Sequence, residues 1–386
     1  MADVPMIIVS NRGPASFRVD ESGAVTSRRG GGGLVSGLGS LGDAGTRWVA
    51  AAISDDDRVV ARSGPVTAAG FEVTLLDLDE RDYRSYYDRV SNETLWFLHH
   101  GMWNLPLEPS FDDEWREHWD RYVAVNERYA EVVSDLAQPG ATVLVQDYHL
   151  TLLGGMLRDR RGDLRTVHFH HTPFGTPSEF SVLPPDVADA LIDGMAGFDG
   201  CGFHSTRWAD HYRAVAGDRA APAFVAPLAV DPDTLLAEAD TDACERELTR
   251  LDGIVGDRRF VVRTDRIELS KNIVRGFDAY ELLLERDARW HGRVTFGAFC
   301  YPSREGVEVY GHYRAEVERR AREINDRFGS PDWNPIVLET DDNYPRSLAA
   351  LRRADVVLAN PIRDGLNLVA KESAILNERH GGLVLS

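Results

Sequence analysis

Arg266 and Lys271 stand five residues apart, on a segment that follows a predicted strand and leads into a predicted helix. Two cations on such a loop can clamp a diphosphate, because both the charges and the helix N-terminus favour an anion. The alternative is a pair of solvated surface charges, which is the usual role of Arg and Lys. The segment therefore suggests a diphosphate site, and evidence from other segments is needed to choose between the two interpretations.

A second candidate segment runs from Asn360 to Glu372, where a strand ends, a glycine-containing turn follows and a helix begins. Backbone amides at such a helix start can hold phosphate, and Asp364 can accept hydrogen bonds from sugar hydroxyls. Glu372, on the first turns of the helix, can accept both hydroxyls of a ribose. An ordinary strand–turn–helix corner explains the segment equally well.

Two segments near the N-terminus could also bind phosphate. Arg12 follows the first predicted strand, where an arginine can grip a phosphate through two parallel hydrogen bonds, although Asn-Arg-Gly-Pro also suits a surface turn. The glycine run 30–33 precedes a predicted helix at 34–41 and would let the backbone approach an anion closely. Its spacing fits neither common phosphate-loop pattern, so a flexible loop is the favoured interpretation of that segment alone.

Polar side chains follow two further predicted strands in the first half of the chain. Asp147 comes directly after one strand and could meet a sugar hydroxyl. His168, His170 and His171 end the next strand, and strand geometry points the first two to one face and His171 to the other. A metal site is disfavoured, because no carboxylate or cysteine lies beside them at ligand spacing. His171, last before the loop, is the histidine expected in a site.

Short apolar runs alternate with amphipathic segments throughout the chain, which predicts an α/β protein with mostly parallel sheets covered by helices. The predicted strands are 5–10, 142–146, 165–170, 200–203, 259–262, 293–298 and 355–359, and the main predicted helices are 148–157, 273–285, 308–328 and 368–376. A proline-rich stretch places a domain boundary near Val230, giving domains 1–229 and 230–386. Residues 382–386 are expected to form a buried strand at which the second domain is cut off.

The composition narrows the class of protein. A formal net charge of −19 argues against a partner that is a nucleic acid or an anionic membrane. Three widely spaced cysteines, Cys201, Cys244 and Cys300, give no disulfide framework. No signal peptide or apolar membrane span is visible, so a cytoplasmic protein is expected.

Eight collinear segments resemble the trehalose-6-phosphate synthase family, retaining glycosyltransferases of the GT-B fold. The segments are VSNRGP, GGGGLVSGL, LWFLHH, QDYHL, FHHTPF, GCGFHSTRWADHY, PSREGVEVY and NPIRDGLNLVAKE. The resemblance implies two Rossmann-like doubly wound domains facing across a cleft. It also implies transfer of glucose from a nucleoside diphosphate glucose to glucose 6-phosphate, the N-terminal domain holding the acceptor and the C-terminal domain the donor.

The resemblance also assigns roles to individual residues. The acceptor phosphate and its surroundings would be bound by Arg12, Tyr87, Trp96 and Arg304. Asp147 would contact the acceptor sugar and His171 the donor glucose, while Arg266 and Lys271 would neutralise the leaving diphosphate. The remaining donor contacts would come from Gly32, Asp364, Leu366, Asn367, Leu368, Val369 and Glu372. The catalytic set is then Asp147, His171, Arg266, Lys271 and Asp364, with no cofactor and no metal, and with UDP-glucose as the expected co-substrate.

Several positions depart from the family pattern. The usual R-L-D-Y-x-K-G has Glu268 for Asp, Leu269 for Tyr and Asn272 for Gly, the usual His-Asp-Tyr-His begins with Gln146, and Gly175 replaces a proline. Ala51 replaces an aromatic residue. Because these changes flank the predicted acceptor pocket and diphosphate loop, other acceptors remain open. They include glycerol 3-phosphate, as in glucosylglycerol-phosphate synthases, and the substrates of pseudo-glycosyltransferases that couple cyclitols. A non-catalytic paralogue or inactive fragment, GDP- or ADP-glucose as donor, and a homo-oligomer are also left open.

Overall fold

A computed structural model describes residues 6–30, 37–39 and 46–386. The chain divides into two compact units, Met1–Leu228 and Ala229–Ser386. Of the predicted site residues, Gly32 lies outside the described residues, as does most of the helix predicted at 34–41. Within the described ranges, no helix combines the length and the apolar character that crossing a membrane requires.

The N-terminal unit alternates strands and helices. Its strands are β1 (Met6–Val9), β2 (Ala15–Val19), β3 (Val25–Arg29), β4 (Arg47–Ala51), β5 (Val66–Ala68), β6 (Phe71–Leu76), β7 (Thr142–Gln146), β8 (Arg165–His170), β9 (Gly200–Phe203) and β10 (Ala223–Val225). Its helices are α1 (Asp55–Ser63), α2 (Glu80–Arg84), α3 (Trp96–His100), α4 (Asp113–Leu136), α5 (Leu153–Arg160), α6 (Pro177–Phe180), α7 (Pro185–Ala196) and α8 (Thr206–Ala216). Between α2 and α3 the helix widens over Ser85–Leu95, where the bonding is of the π type.

Eight strands of this unit form one sheet in the order β10-β9-β8-β7-β1-β4-β6-β5. All neighbours are parallel except β5 and β6. Ile8 of β1 lies opposite Trp48 of β4 and Leu144 of β7, and the apolar cluster around Trp48 and Phe71 covers one face of the sheet. Because β1, β7 and β8 run in parallel, the segments that follow them emerge at one edge.

The C-terminal unit is a smaller doubly wound fold. Its strands are β11 (Arg259–Ile267), β12 (Val294–Pro302), β13 (Ile336–Glu339), β14 (Val356–Ala359) and β15 (Gly382–Leu385). Its helices are α9 (Pro232–Ala239), α10 (Asp242–Val255), α11 (Ile273–Arg286), α12 (Glu308–Phe328), α13 (Tyr344–Arg353) and α14 (Leu368–Leu376). The sheet order is β13-β12-β11-β14-β15, parallel throughout.

The central strand β11 is buried on both faces, as parallel strands between two helical layers are. Phe260 and Val262 pack into one apolar cluster with residues of α10 and α13. Val261 packs into the other cluster, with residues of α11 and α12. The alternation follows from the two-residue repeat of a strand.

The predicted α/β class is confirmed, and several element boundaries need correction. The strand predicted at 259–262 extends to Ile267, because Arg263 and Asp265 are polar but inward-pointing and continue the ladder. The helix predicted at 148–157 is a short turn, Tyr148–Leu150, followed by α5. The strand near residue 382 exists, but its expected burial is wrong, because all four residues of β15 are exposed at the sheet edge beside β14.

Candidate active site

The turn after β1 holds Arg12 in the N-terminal unit. The Ser10 hydroxyl donates to the Arg12 carbonyl oxygen at 2.6 Å and accepts from the Trp48 indole N–H at 2.7 Å. This bonding fixes the backbone of the turn while the Arg12 side chain stays exposed. Its Nη2 donates to the Tyr87 hydroxyl at 3.4 Å. Arg12 and Tyr87, both predicted to bind the acceptor, are therefore neighbours.

Tyr87 is oriented by ring stacking. Its ring lies parallel to Tyr83 at 5.4 Å and to His149 at 5.7 Å between centroids, with an interplanar angle of 11° in each case. Trp96, the third predicted acceptor contact in this unit, lies in the core, where it stacks on His100 at 3.9 Å. The structure thus brings Tyr87 to Arg12 and places Trp96 in the interior.

Asp147 and Gln146, at the end of β7, both bind His171. The Asp147 carboxylate accepts the His171 backbone N–H at 3.1 Å, and His171 Nε2 lies 2.9 Å from Gln146 Oε1. Because an amide oxygen only accepts, Nε2 carries the ring proton in this bond. Burial lowers the pKa of His171 to about 4, so the ring is neutral near pH 7. Gln146, noted in the sequence only as a departure, is thus the partner that orients His171.

Backbone with positive φ occurs in predicted site segments of each unit. Among the described residues, five non-glycine residues have positive φ, and three of them lie in predicted site segments: Asp147 (69°), Asn272 (58°) and Arg304 (49°). Such conformations cost about 1–3 kcal/mol each and concentrate at functional sites. At Asn272, whose φ and ψ are those of the left-handed helix, asparagine is tolerated in place of the glycine usual in the family.

The histidines of β8 are core residues. His168 and His170 are almost fully buried, and His170 Nε2 lies 2.9 Å from the Thr172 hydroxyl. Neither ring nitrogen of His168 has a hydrogen-bond partner among the described residues. Nearby, His99 Nδ1 accepts the backbone N–H of Gly175 at 3.2 Å, a bond that the proline usual in the family could not make. In the described part of the chain, no group of three histidine, cysteine or acidic residues is arranged to hold a metal ion.

The neutral histidine core predicts instability in acid. Burial lowers the pKa of His168 to about 3, whereas an unfolded histidine titrates near about 6.5. The unfolded state therefore binds the extra proton, and stability is lost as the pH falls from about 6.5 towards about 3. His168→Leu should reduce the difference in unfolding free energy between about pH 7.5 and about pH 5 by about 2 kcal/mol.

Urea denaturation at the two pH values measures this effect. His312→Leu is the matched control, because the His312 side chain is 75 % exposed. An unchanged pH dependence in His168→Leu would contradict the assignment of a neutral buried ring.

In the C-terminal unit, the loop after β11 meets the loop after β14. Lys271 Nζ lies 2.7 Å from Asp364 Oδ2 and 3.6 Å from Asp265 Oδ1. The contact follows from topology, since β11 and β14 are parallel neighbours whose carboxyl ends share an edge. Burial works to lower the pKa of Lys271, but Asp364 and Asp265 outweigh it and raise the pKa above its usual range. Lys271 is therefore a fixed positive charge.

The Glu268 carboxylate forms ion pairs with two arginines, Arg266 and Arg304. This glutamate is 2 % exposed, and its Oε1 lies 3.0 Å from Arg266 Nη1 and 3.0 Å from Arg304 Nη1. The Ser303 hydroxyl donates to the same oxygen at 3.3 Å, and Arg304 Nη1 also donates to the Tyr310 hydroxyl at 2.7 Å. Arg266 and Arg304, both predicted to bind phosphate, thus share the buried Glu268 carboxylate. Choosing site residues from the sequence by positive charge alone misses Glu268.

The start of α14 carries the remaining predicted donor residues. Asn367 caps the helix by accepting the Ala370 N–H at 2.9 Å, and its amide lies 3.4 Å from Asp364 Oδ2. Leu368 and Val369 supply the first amides of α14, and the first four N–H groups of a helix have no partner within it. Leu366 precedes the cap.

Glu372 is a half-buried carboxylate on the second turn of α14. Burial and the neighbouring Glu238 raise its pKa.

A cavity of about 620 Å³ lies in the N-terminal unit, away from these residues. It is lined by Gly140, Asp163, Arg165, Asp199 and Ala223, among others. These residues stand at the amino ends of β7, β8, β9 and β10, opposite the strand ends that carry Arg12, Asp147 and His171. Ligands of open α/β sheets bind at the carboxyl ends, so we locate the candidate site there.

Comparison with known proteins identifies the family of the chain. The sequence model of glycosyltransferase family 20 matches residues 5–386. The trehalose-6-phosphate synthase of Mycobacterium sp. (strain KMS) is 33% identical over 417 residues, covering 100% of this chain and 82% of the relative. The UDP-forming α,α-trehalose-phosphate synthase A of Dictyostelium discoideum is 30% identical over 400 residues, and the chain spans 53% of its length.

The same likeness appears in three dimensions. The crystal structure of a UDP-forming α,α-trehalose-phosphate synthase from Burkholderia xenovorans, in complex with glucose-6-phosphate, superposes with a TM-score of 0.83. The identity is 27%, over 99% of this chain and 85% of that one. The predicted GT-B class, with Rossmann-like domains, is confirmed. On the family match over nearly its whole length, the chain belongs to glycosyltransferase family 20.

Proposed function

We propose that the protein transfers glucose from UDP-glucose to glucose 6-phosphate, with retention at the anomeric carbon, and forms α,α-trehalose 6-phosphate. Two relatives support these substrates. The Dictyostelium discoideum enzyme is named as UDP-forming, and the Burkholderia xenovorans structure is a complex with glucose-6-phosphate. The observation that carries the proposal is the Lys271 ammonium held 2.7 Å from Asp364, where β11 and β14 end together. A fixed cation beside a carboxylate suits a diphosphate attached to a sugar.

The C-terminal unit would bind the donor. Arg266 and Lys271 would neutralise the diphosphate, and Asp364 would accept hydrogen bonds from glucose hydroxyls. The segment Leu366, Asn367, Leu368 and Val369 would offer backbone amides to phosphate at the start of α14, where the helix dipole also favours an anion. Glu372 would accept from the ribose, and Gly32 of the N-terminal unit would approach the diphosphate.

The N-terminal unit would bind the acceptor. Arg12 would bind the phosphate, with Tyr87 beside it, and Trp96 and Arg304 would complete the surroundings. The Asp147 carboxylate would accept a hydrogen bond from a hydroxyl group of glucose 6-phosphate. The same carboxylate accepts the His171 backbone N–H. His171, neutral and oriented by Gln146, would hydrogen-bond the donor glucose.

The chemistry then requires no enzyme nucleophile. As the bond from the anomeric carbon to the diphosphate breaks, negative charge grows on the leaving oxygen, and Arg266 and Lys271 stabilise it more than they stabilise the ground state. The acceptor hydroxyl forms the new bond on the same face, as the family resemblance implies. Its proton passes to the leaving phosphate oxygen, which balances the reaction.

A product assay tests the proposal. The protein is offered UDP-, GDP- or ADP-glucose with glucose 6-phosphate or glycerol 3-phosphate, and the products are identified by mass spectrometry. UDP-glucose with glucose 6-phosphate should give UDP and a disaccharide phosphate, and omission of the acceptor is the control. A product from glycerol 3-phosphate alone would overturn the proposed acceptor. Absence of product with every pair would contradict the proposed activity.

Glycerol 3-phosphate is the second candidate acceptor, because one departure from the family pattern lies beside His171. Gln146, which replaces the usual histidine, binds the His171 ring directly. The departure therefore lies within the site and can alter which acceptor is accommodated. A cytoplasmic location and a homo-oligomeric state remain predictions.

A further inference from the structure

Arg263 is a completely buried cation in the middle of β11, four residues before the carboxyl end of the strand at Ile267. The side chain is 0 % exposed. Its Nε and Nη2 donate to Asp265 Oδ2 at 3.2 and 3.0 Å, and Nη2 also donates to the backbone carbonyl of Lys271 at 2.8 Å. The guanidinium thus binds one residue of its own strand and one residue of the loop that follows.

Asp265 connects Arg263 to the ammonium of Lys271. One carboxylate oxygen of Asp265 accepts from Arg263, and the other lies 3.6 Å from Lys271 Nζ. Arg263 therefore fixes Lys271 at two points, directly at its backbone and through Asp265 at its charged end. A lysine side chain otherwise has a flexible four-carbon stem and gains no fixed position from its own geometry.

The balance of charge around Lys271 explains why Arg263 and Asp265 lie beside it. Arg263 and Lys271 carry two positive charges, and Asp265 and Asp364 carry two negative charges, so the group is neutral before a ligand arrives. Without Arg263, the group would present a net negative charge to an incoming diphosphate. A buried ion pair is weak evidence for stability by itself, because well-packed apolar residues often serve a core equally well. In the described part of the chain, Arg263 Nη1 also has no hydrogen-bond partner, which adds to the cost.

We propose that Arg263 is a positioning residue that, with Asp265, holds Lys271 where it meets the diphosphate of the donor. The proposal rests on the diphosphate role given to Lys271 above. Arg263 itself touches no substrate. It acts by keeping the ammonium in place before the reaction, because a charge that is already oriented needs no rearrangement as the leaving group departs.

Binding of UDP, measured by calorimetry, tests the proposal without depending on the acceptor. Wild-type protein is measured first, and failure to bind UDP would count against the proposed function rather than against Arg263. The pair variant Arg263→Met with Asp265→Asn removes both buried charges together and should fold. We expect it to bind UDP about tenfold more weakly, because Lys271 loses its contacts with Arg263 and Asp265 and keeps only its contact with Asp364.

The test that Arg263 acts through Lys271 is a double-mutant cycle. Lys271→Met alone should weaken UDP binding, and adding the pair variant should then weaken it no further. A purely structural role would give additive effects, which would overturn the proposal, as would wild-type affinity in the pair variant. Arg263→Lys keeps the positive charge but lacks the planar guanidinium group. It should have the melting temperature of the wild type and the weaker UDP affinity of the pair variant.

Arg259→Met is the matched control. Arg259 pairs with Asp355 at 2.8 Å, at the opposite end of the same strand. Its replacement should leave UDP affinity unchanged, and a tenfold loss there would show that any arginine of β11 has this effect.

Discussion

Replacing Lys271 by methionine is expected to lower kcat by about 10²–10³-fold, which corresponds to about 3–4 kcal/mol of barrier. The Lys271 side chain is 13 % exposed, and its ammonium group is held by Asp364 and Asp265. Those carboxylates keep it protonated at any working pH, so it offers a full positive charge to the leaving diphosphate. Methionine preserves the length of the side chain and removes that charge. The fold should persist, because Asp265 keeps its bonds to Arg263.

Initial-rate kinetics with UDP-glucose and glucose 6-phosphate measure the loss. Arg275→Met, an exposed position on the first turn of α11, is the control and should keep the wild-type kcat. A kcat for Lys271→Met close to that of the control would remove the diphosphate role from Lys271.

The composition of the chain allows a measurement of the charge on Lys271. Only two of the 43 basic residues are lysines, Lys271 and Lys371. Acetylation of either can therefore be assigned by mass spectrometry of two peptides. Because Lys271 is protonated and paired with two carboxylates, Lys371 should be acetylated faster than Lys271, and faster labelling of Lys271 would speak against its fixed charge.

Glu268→Gln is expected to lower the unfolding free energy by about 3 kcal/mol. The carboxylate is buried and its Oε1 bonds Arg266, Arg304 and Ser303. The amide has nearly the same shape but no charge, so the Arg304 side chain, which is only 9% exposed, loses its compensating anion. Removing one partner of a buried charge pair costs more than the pair itself contributes.

Urea denaturation with and without phosphate measures this second effect. Phosphate should stabilise Glu268→Gln more than it stabilises the wild type, because the bound anion replaces the lost charge between the arginines. Glu308→Gln is the control, since its side chain is 87 % exposed. If Glu268→Gln unfolds at the same urea concentration as that control, Glu268 does not compensate the two arginines.

The sequence determined the fold class and the segments of the candidate site. Strands such as Thr142–Gln146 and helices such as Glu308–Phe328 have the predicted bounds, because their apolar residues repeat with the period of the element. Arg12, Asp147 and Lys271 could be chosen because polar residues directly after parallel strands gather at one edge of a sheet. Family membership followed from eight short segments in order.

Only the tertiary structure decided which of these groups meet. Lys271 and Asp364 are distant in sequence and are brought together because β11 and β14 pair in parallel. Packing also places Trp96, for which the family resemblance predicts a role near the acceptor, in the interior of the N-terminal unit. The local sequence determines the repeat of apolar residues in each helix or strand and the polar residues at its ends. Charge pairing across the sheet depends on strand order and register, which arise from contacts between distant parts of the chain.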